Sequence, residues 1–258
     1  MQVQTGDNRL IAGFIVTGSD PKKVIIRGIG PSLSTISGVL ADPVLELHQG
    51  NTTLATNNNW KMRSDGTSQQ AEIEATTIPP THDLESAMVV TLNPGSYTAI
   101  LAGNNGGTGV GVVEVYDLGS AANSELGNIS TRGLVGHNND LMIGGLIVGG
   151  GDSDGKATVL FRAIGPSLAS SGVQGPLSDP VLELHNSDGT TIATNDNWKI
   201  NDQSQQSQES QIKSTTVQPA NDLESAIVAT LSPGNYTAVV QGKNGATGVG
   251  VVEAYNLH

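Results

Sequence analysis

The chain contains no cysteine, so it has no disulfide framework, thiolate metal site or cysteine nucleophile. Aromatic side chains make up only 3% of the residues, and a core must therefore be built from Val, Ile, Leu and Ala. Cations are scarce: 12 Lys and Arg stand against 24 Asp and Glu, a formal net charge of −12. Such a surface repels phosphate backbones and anionic lipid, which argues against nucleic-acid partners and against docking on an acidic membrane. No apolar run is long enough to span a bilayer, and membrane insertion is not expected. Polar Gln2, Gln4 and Asp7 follow Met1 directly, unlike a signal peptide, so export would need a signal outside this sequence.

Turn punctuation and repetition are abundant instead. The 33 glycines and 11 prolines break the chain into short segments. Gly30-Pro31-Ser32-Leu33 returns as Gly165-Pro166-Ser167-Leu168, and the run Asp42 to His48 returns unchanged as Asp179 to His185. Asn59-Trp60-Lys61, Asp83-Leu84-Glu85-Ser86-Ala87, Tyr97-Thr98-Ala99 and Thr108 to Glu114 all recur in the same order. The offset grows only from 135 residues at Gly30 to 139 at Thr108. A period of that size is a whole domain, not one layer of a solenoid. The expected organisation is a first repeat over 1–118, a linker or exchanged strand over 119–134, and a second repeat over 135–258.

Within the first repeat, seven segments combine β-branched or aliphatic residues with flanking turn residues. They are Leu10–Val16, Lys23–Ile29, Val44–Gln49, Thr53–Asn57, Leu84–Leu92, Tyr97–Ala102 and Val110–Leu118. Asn93-Pro94-Gly95 reads as a tight turn. Asn104 to Gly107 reads as a hairpin loop whose Asn and Gly tolerate positive φ. A short helix is expected over Ser68–Ala75. Seven strands with such turns predict an all-β fold of two tandem antiparallel β-sandwiches, jelly-roll or immunoglobulin-like in kind.

Alternation assigns faces. Leu45 and Leu47 point one way, while Glu46 and His48 point the other. Leu84, Ser86, Met88, Val90 and Leu92 share a mostly apolar face. Arg27 lies between Ile25 and Ile29, and Glu114 shares a face with Val110, Val112 and Tyr116. A charge on an apolar face needs a partner. An internal ion pair follows, between Arg27 and Glu114 or Glu85, repeated between Arg162 and Glu253 or Glu224.

Few motifs carry chemistry. Ser32 follows a proline and opens a Ser/Gly-rich loop; it does not sit in the Gly-x-Ser-x-Gly elbow of a serine hydrolase. No catalytic residue is assigned, and no enzyme activity is expected. Glu46 with His48 and Glu183 with His185 read as solvated strand faces. The sequence calls for no cofactor, but Asn195, Asp196, Asn197 and Asp222 offer hard oxygens for calcium in the second repeat. Trp60 and Trp198, the only two tryptophans, are expected to pack inward. Asn51, Asn128 and Asn235 head Asn-x-Ser/Thr triplets and are candidate glycosylation sites.

These motifs also carry a resemblance. Arg27 to Leu33, Asp42 to Leu47, Asn59-Trp60 and Pro94-Gly95-Ser96-Tyr97-Thr98-Ala99 resemble a tandem β-sandwich module of bacterial secreted and cell-surface proteins. The later half of each repeat looks like a bacterial pre-peptidase C-terminal domain. The resemblance implies a β-sandwich in long tandem arrays, outside the cell or on its surface. It implies a structural subunit of an extracellular filament or stalk whose expected partners are copies of itself, with glycans as further candidates. The alternative is an adhesive or carbohydrate- or matrix-binding module of a secreted protein. The second repeat has a lead-in, Asn128 to Leu134, that the first repeat lacks. An open sheet edge is therefore expected in the first repeat.

Overall fold

The computed structural model describes residues 1–119, 123–137, 140–149 and 155–257. Part of the expected linker, residues 120–122, lies outside these residues. The chain is all-β and divides into two compact units, Met1–Ile129 and Ser130–His258.

In unit 1 the strands are β1 (Gln2–Val3), β2 (Leu10–Gly18), β3 (Lys22–Ile29), β4 (Pro43–Gln49) and β5 (Thr52–Asn57). A short helix α1 (Gln70–Glu74) precedes β6 (Ser86–Leu92), β7 (Gly95–Gly103), β8 (Gly109–Val110) and β9 (Val112–Asp117). β10 (Ser124–Val135) contains the division between the units. The lead-in expected over Asn128–Leu134 is part of this longer strand. Unit 2 repeats the series as β11 (Met142–Val148), β12 (Ala157–Ile164), β13 (Pro180–His185), β14 (Thr191–Asn195), α2 (Glu209–Ser214), β15 (Ser225–Leu231), β16 (Gly234–Gly242) and β17 (Gly248–Asn256).

Each unit is a sandwich. In unit 1, β2, β7, β4 and β5 pair antiparallel in that order, and β6, β3 and β9 form the opposing sheet. In unit 2, β11, β16, β13 and β14 oppose β15, β12 and β17. The unit 1 core lies between the sheets: Phe14, Leu45, Leu47, Ala99 and Leu101 from one meet Val24, Ile26, Met88 and Leu92 from the other. Leu45, Leu47, Met88 and Leu92 are the inward residues that alternation selects, and burying each large aliphatic contributes roughly 1.5–3 kcal/mol. A smaller core lies under α1, where Trp60, Ile73, Ile25, Ala87 and Val89 pack together; Trp198, Ile212, Leu160 and Ala226 repeat it.

The turns follow their chemistry. Asn105 and Asn244 take φ of 52° and 55°, in the left-handed region that Asn tolerates. Leu84 is a correction: it is exposed, and β6 begins only at Ser86, because Asp83 and Leu84 belong to the preceding turn. The strand then buries both faces, Met88 in the sandwich and Ala87 and Val89 beneath the helix.

Candidate functional site: a polar network repeated in each unit

Gly30 and Gly165 end the inward strands β3 and β12. A Cβ at either would lie 2.1 or 2.2 Å from the carbonyl oxygen of Leu40 or Leu177. Only glycine fits this approach, and it starts the turn in which Pro31 and Ser32 follow. The carboxylate of Glu85, fully buried, meets this turn. Its Oε1 accepts from Gly30 N at 3.1 Å, Ser32 N at 2.9 Å and the Ser32 hydroxyl, and its Oε2 accepts from His82 N at 3.3 Å. In unit 2, Glu224 accepts from Gly165 N at 3.1 Å, Ser167 N at 3.0 Å and the Ser167 hydroxyl, and from Ala220 N and Asn221 N at 3.1 Å each.

Glu85 and Glu224 therefore do not form the ion pairs expected of them. Each stands in the turn before β6 or β15 and reaches the end of the neighbouring strand, where backbone donors, not a guanidinium, meet it. The two most conspicuous motifs, Gly-Pro-Ser-Leu and Asp-Leu-Glu-Ser-Ala, are thus halves of one clamp. The link was missed because its ends lie more than fifty residues apart. Equal duplication of both motifs is the signal that could have joined them.

Arg27 pairs instead with Glu114, its direct cross-strand neighbour on β9, through Nε at 2.8 Å and through Nη2. Its Nη1 donates to the Ile78 carbonyl at 2.7 Å, which ties the loop after α1 to the sheet. The guanidinium also stacks 5.1 Å from the Tyr116 ring centroid. Arg162, Glu253 and Tyr255 repeat the arrangement, with Nε to Glu253 at 2.9 Å and the ring at 5.0 Å. The Arg27 and Arg162 side chains are 15% and 13% exposed, so these pairs are mostly but not fully enclosed. Burial, reinforced by the Glu253 carboxylate, pushes the Tyr255 hydroxyl up to about 12.

Other residues that recur in both repeats are equally committed to the backbone. Asn57 accepts from Ala87 N at 3.0 Å and donates to the Met62 carbonyl at 2.7 Å. Asn195 does the same with Ala226 N and Ile200 at 2.9 and 2.7 Å. Trp60 N and Trp198 N donate to the Glu85 and Glu224 carbonyls at 2.8 Å. Both tryptophans are buried. His48 and His185 bond to Glu46 and Glu183 on their own strands, at 2.9 and 3.1 Å.

The candidate calcium residues separate. The Asn195 side chain is taken up as just described, and Asp222 is exposed and paired with Lys199 at 2.6 Å. Asp196 meets the Lys243 ammonium at 2.6 Å and accepts from Asn197 Nδ2 at 3.3 Å, and Asp179 approaches the same lysine at 3.6 Å. Burial raises the Asp179 and Asp202 carboxyls above the usual range, with Asp196 adding to both. Lys243 is the cation these carboxylates share, and Asp179 Oδ1 and Asp196 Oδ1 are buried with no hydrogen-bond partner among the described residues. Among the candidate glycosylation sites, Asn51 is exposed at a turn and Asn235 is exposed near the start of β16, whereas Asn128 is buried within β10.

No family model matches the chain, and no curated protein matches it. Among solved structures, it is similar to the M60 catalytic domain with the CBM51-1 and CBM51-2 domains from Clostridium perfringens ZmpB. That likeness is 8% identical, with a TM-score of 0.23, over 99% of this chain and 34% of the other. A second is the VP2 subviral particle of infectious bursal disease virus, 10% identical with a TM-score of 0.20, over 99% of this chain and 70% of the other. The chain spans about a third of the length of the first. Overlaps this loose carry no argument about what the chain does.

Chemically, the network is built to hold. The Glu85, Arg27 and Asn57 side chains each bridge segments distant in sequence, and their polar atoms meet protein partners. A shallow hollow of about 210 Å³ in unit 2 is lined by Asn195, Asn201, Gln203, Gln208 and aliphatic side chains, with no carboxylate, imidazole or amine among its lining.

Proposed function

We propose that the chain is a structural subunit of an extracellular filament or cell-surface stalk, assembling head to tail through its sandwich units. The observation that carries this reading is the duplication of the polar network. Catalysis requires one cleft where acid, base and nucleophile converge. Here Ser32, Glu85, Arg27 and Glu114, and their unit 2 equivalents, are committed twice over to fastening strands and loops within a unit. Repetition of a fastened module suits a part that resists and transmits load. The resemblance to tandem modules of bacterial secreted and surface proteins supports the same reading, as does the acidic surface that keeps an extended polymer soluble.

Negative-stain electron microscopy of the native material tests it. Linear polymers with a regular repeat are expected. Dispersed single particles that bind a glycan or matrix polymer would overturn it in favour of an adhesive module.

A further inference from the structure

The two units differ in what lies beside their equivalent edge strands. In unit 1 the outer side of β2 is covered by the first half of β10. Ser19 N donates to the Asn123 carbonyl at 2.9 Å and Thr17 Oγ1 to the Glu125 carbonyl at 3.5 Å, while Leu126 packs onto the unit 1 core. The inward residues Leu10, Ala12, Phe14 and Val16 are all buried, and the outward Ile11 and Ile15 are half-buried.

The unit 2 strand in the same place is β11. It pairs with β16 as β2 pairs with β7, so that Ile143 and Ile147 correspond to Ile11 and Ile15. Among the described residues β11 has no strand on its other side. Ile143 is 52% exposed and Ile147 is 61% exposed, and Leu146 is only half-buried where Phe14 is buried. The strand Met142–Val148 has no charge and no proline, the usual devices that blunt a sheet edge.

The opposite sheets show the converse. In unit 2, the second half of β10 lies beside β17, with the Val135 side chain facing Gly250, and Val252 and Ala254 are buried. In unit 1 the equivalent β9 ends its sheet among the described residues, and Val113 and Val115 are only half-buried. Among the described residues, β1 pairs with β8 just before this strand, and Met1 bonds Gly111 there. The chain thus carries one open edge of each kind that β10 covers elsewhere in the same molecule. The expectation of an open edge in the first repeat is incomplete, because the more apolar opening is in the second.

We infer that the β11 edge is the docking surface for a second copy of this chain, which covers it through the β9 edge of its own first unit. This inference rests on the structural-subunit reading and names the surface that reading needs. The two edges differ, so the contact is heterologous, and a molecule that uses one of them still presents the other. A partner of different chemistry would leave β9 of every molecule uncovered, whereas a second copy covers both edges with one contact. Backbone pairing supplies the attraction, and Ile143 and Ile147 supply the apolar area.

Two measurements on the full chain decide it. Hydrogen exchange, followed by mass spectrometry from dilute to concentrated protein, should slow in the segments Met142–Val148 and Val112–Asp117 together. Sedimentation velocity should show that Ile147→Lys weakens association by at least about tenfold, the loss of a central anchor. Ile192→Lys, on the exposed face of the different edge strand β14, should leave association unchanged. Unaltered tryptophan fluorescence certifies that each variant is folded. Association that persists in Ile147→Lys, or that protects neither edge, overturns the docking surface while the structural-subunit reading stands. Absence of association at every concentration overturns both.

Discussion

Removing the Glu85 carboxylate should loosen unit 1 more than any comparable surface change. In Glu85→Ala, four donors lose their acceptor: Gly30 N, Ser32 N, the Ser32 hydroxyl and His82 N. A buried donor left without a partner costs about 1–3 kcal/mol. The Gly30 bond is fully buried and loses the whole amount, while water entering the new cavity partly serves the other three. The total comes to about 3–5 kcal/mol, which a urea slope of roughly 1–3 kcal/mol/M turns into a midpoint shift of 1 M or more. Glu85→Gln keeps one acceptor oxygen but sets an amide donor against a backbone donor, and should cost about 1–2 kcal/mol. Trp60 is the natural reporter, since its own N–H bonds the Glu85 carbonyl. Urea unfolding read on Trp60 fluorescence in a Trp198→Phe background isolates unit 1. A loss below about 1 kcal/mol for Glu85→Ala would refute the clamp, because no reasonable water rescue hides three backbone donors.

Three further outcomes follow from the same geometry. Arg27→Ala should cost about 1–3 kcal/mol in the same urea assay, less than a fully buried pair would, because Glu114 is 28% exposed and solvent screens the stranded charge. Tyr255 is held protonated, so its contribution to stability is fully present below the ordinary tyrosine range near 10 and is lost as pH rises through about 12; the tyrosinate absorbance difference between parent and Tyr255→Phe should appear only in that upper window, and a transition near 10 would contradict it. In a glycosylating host, peptide mapping should find glycan on Asn51 and Asn235 and none on Asn128, a residue only 8% exposed; a modified Asn128 in folded protein would contradict the placement of β10.

What the sequence made legible was mostly local. Alternation of Leu45 and Leu47 against Glu46 and His48 gave the buried face of β4, and the Asn-Gly pairs gave the left-handed loop residues. The Arg27–Glu114 pair was also legible, because an arginine between two isoleucines demands a counter-charge and the ladder makes Glu114 its direct neighbour. Long-range geometry was not. Nothing local says that Glu85 turns away from Arg27 toward Gly30, since the choice depends on where the turn before β6 meets the end of β3. Lys22 is hidden from a local reading for the same reason: it is buried at the start of the central strand β3, and its ammonium meets Asp117 at 2.9 Å and the Gly119 carbonyl at 2.8 Å. Nor does the run Asn195 to Asn197 announce that Lys243, distant in the chain, supplies the positive charge beside Asp196.

The central claim is that this chain builds a linear assembly from fastened, repeated sandwiches. Multi-angle light scattering of the intact protein over a wide concentration range tests it most directly. The account predicts a mass that climbs with concentration and a radius of gyration that grows in proportion to that mass, as an open, end-to-end polymer requires. A mass fixed at one chain throughout, or one that stops at a small closed number of copies, would contradict it.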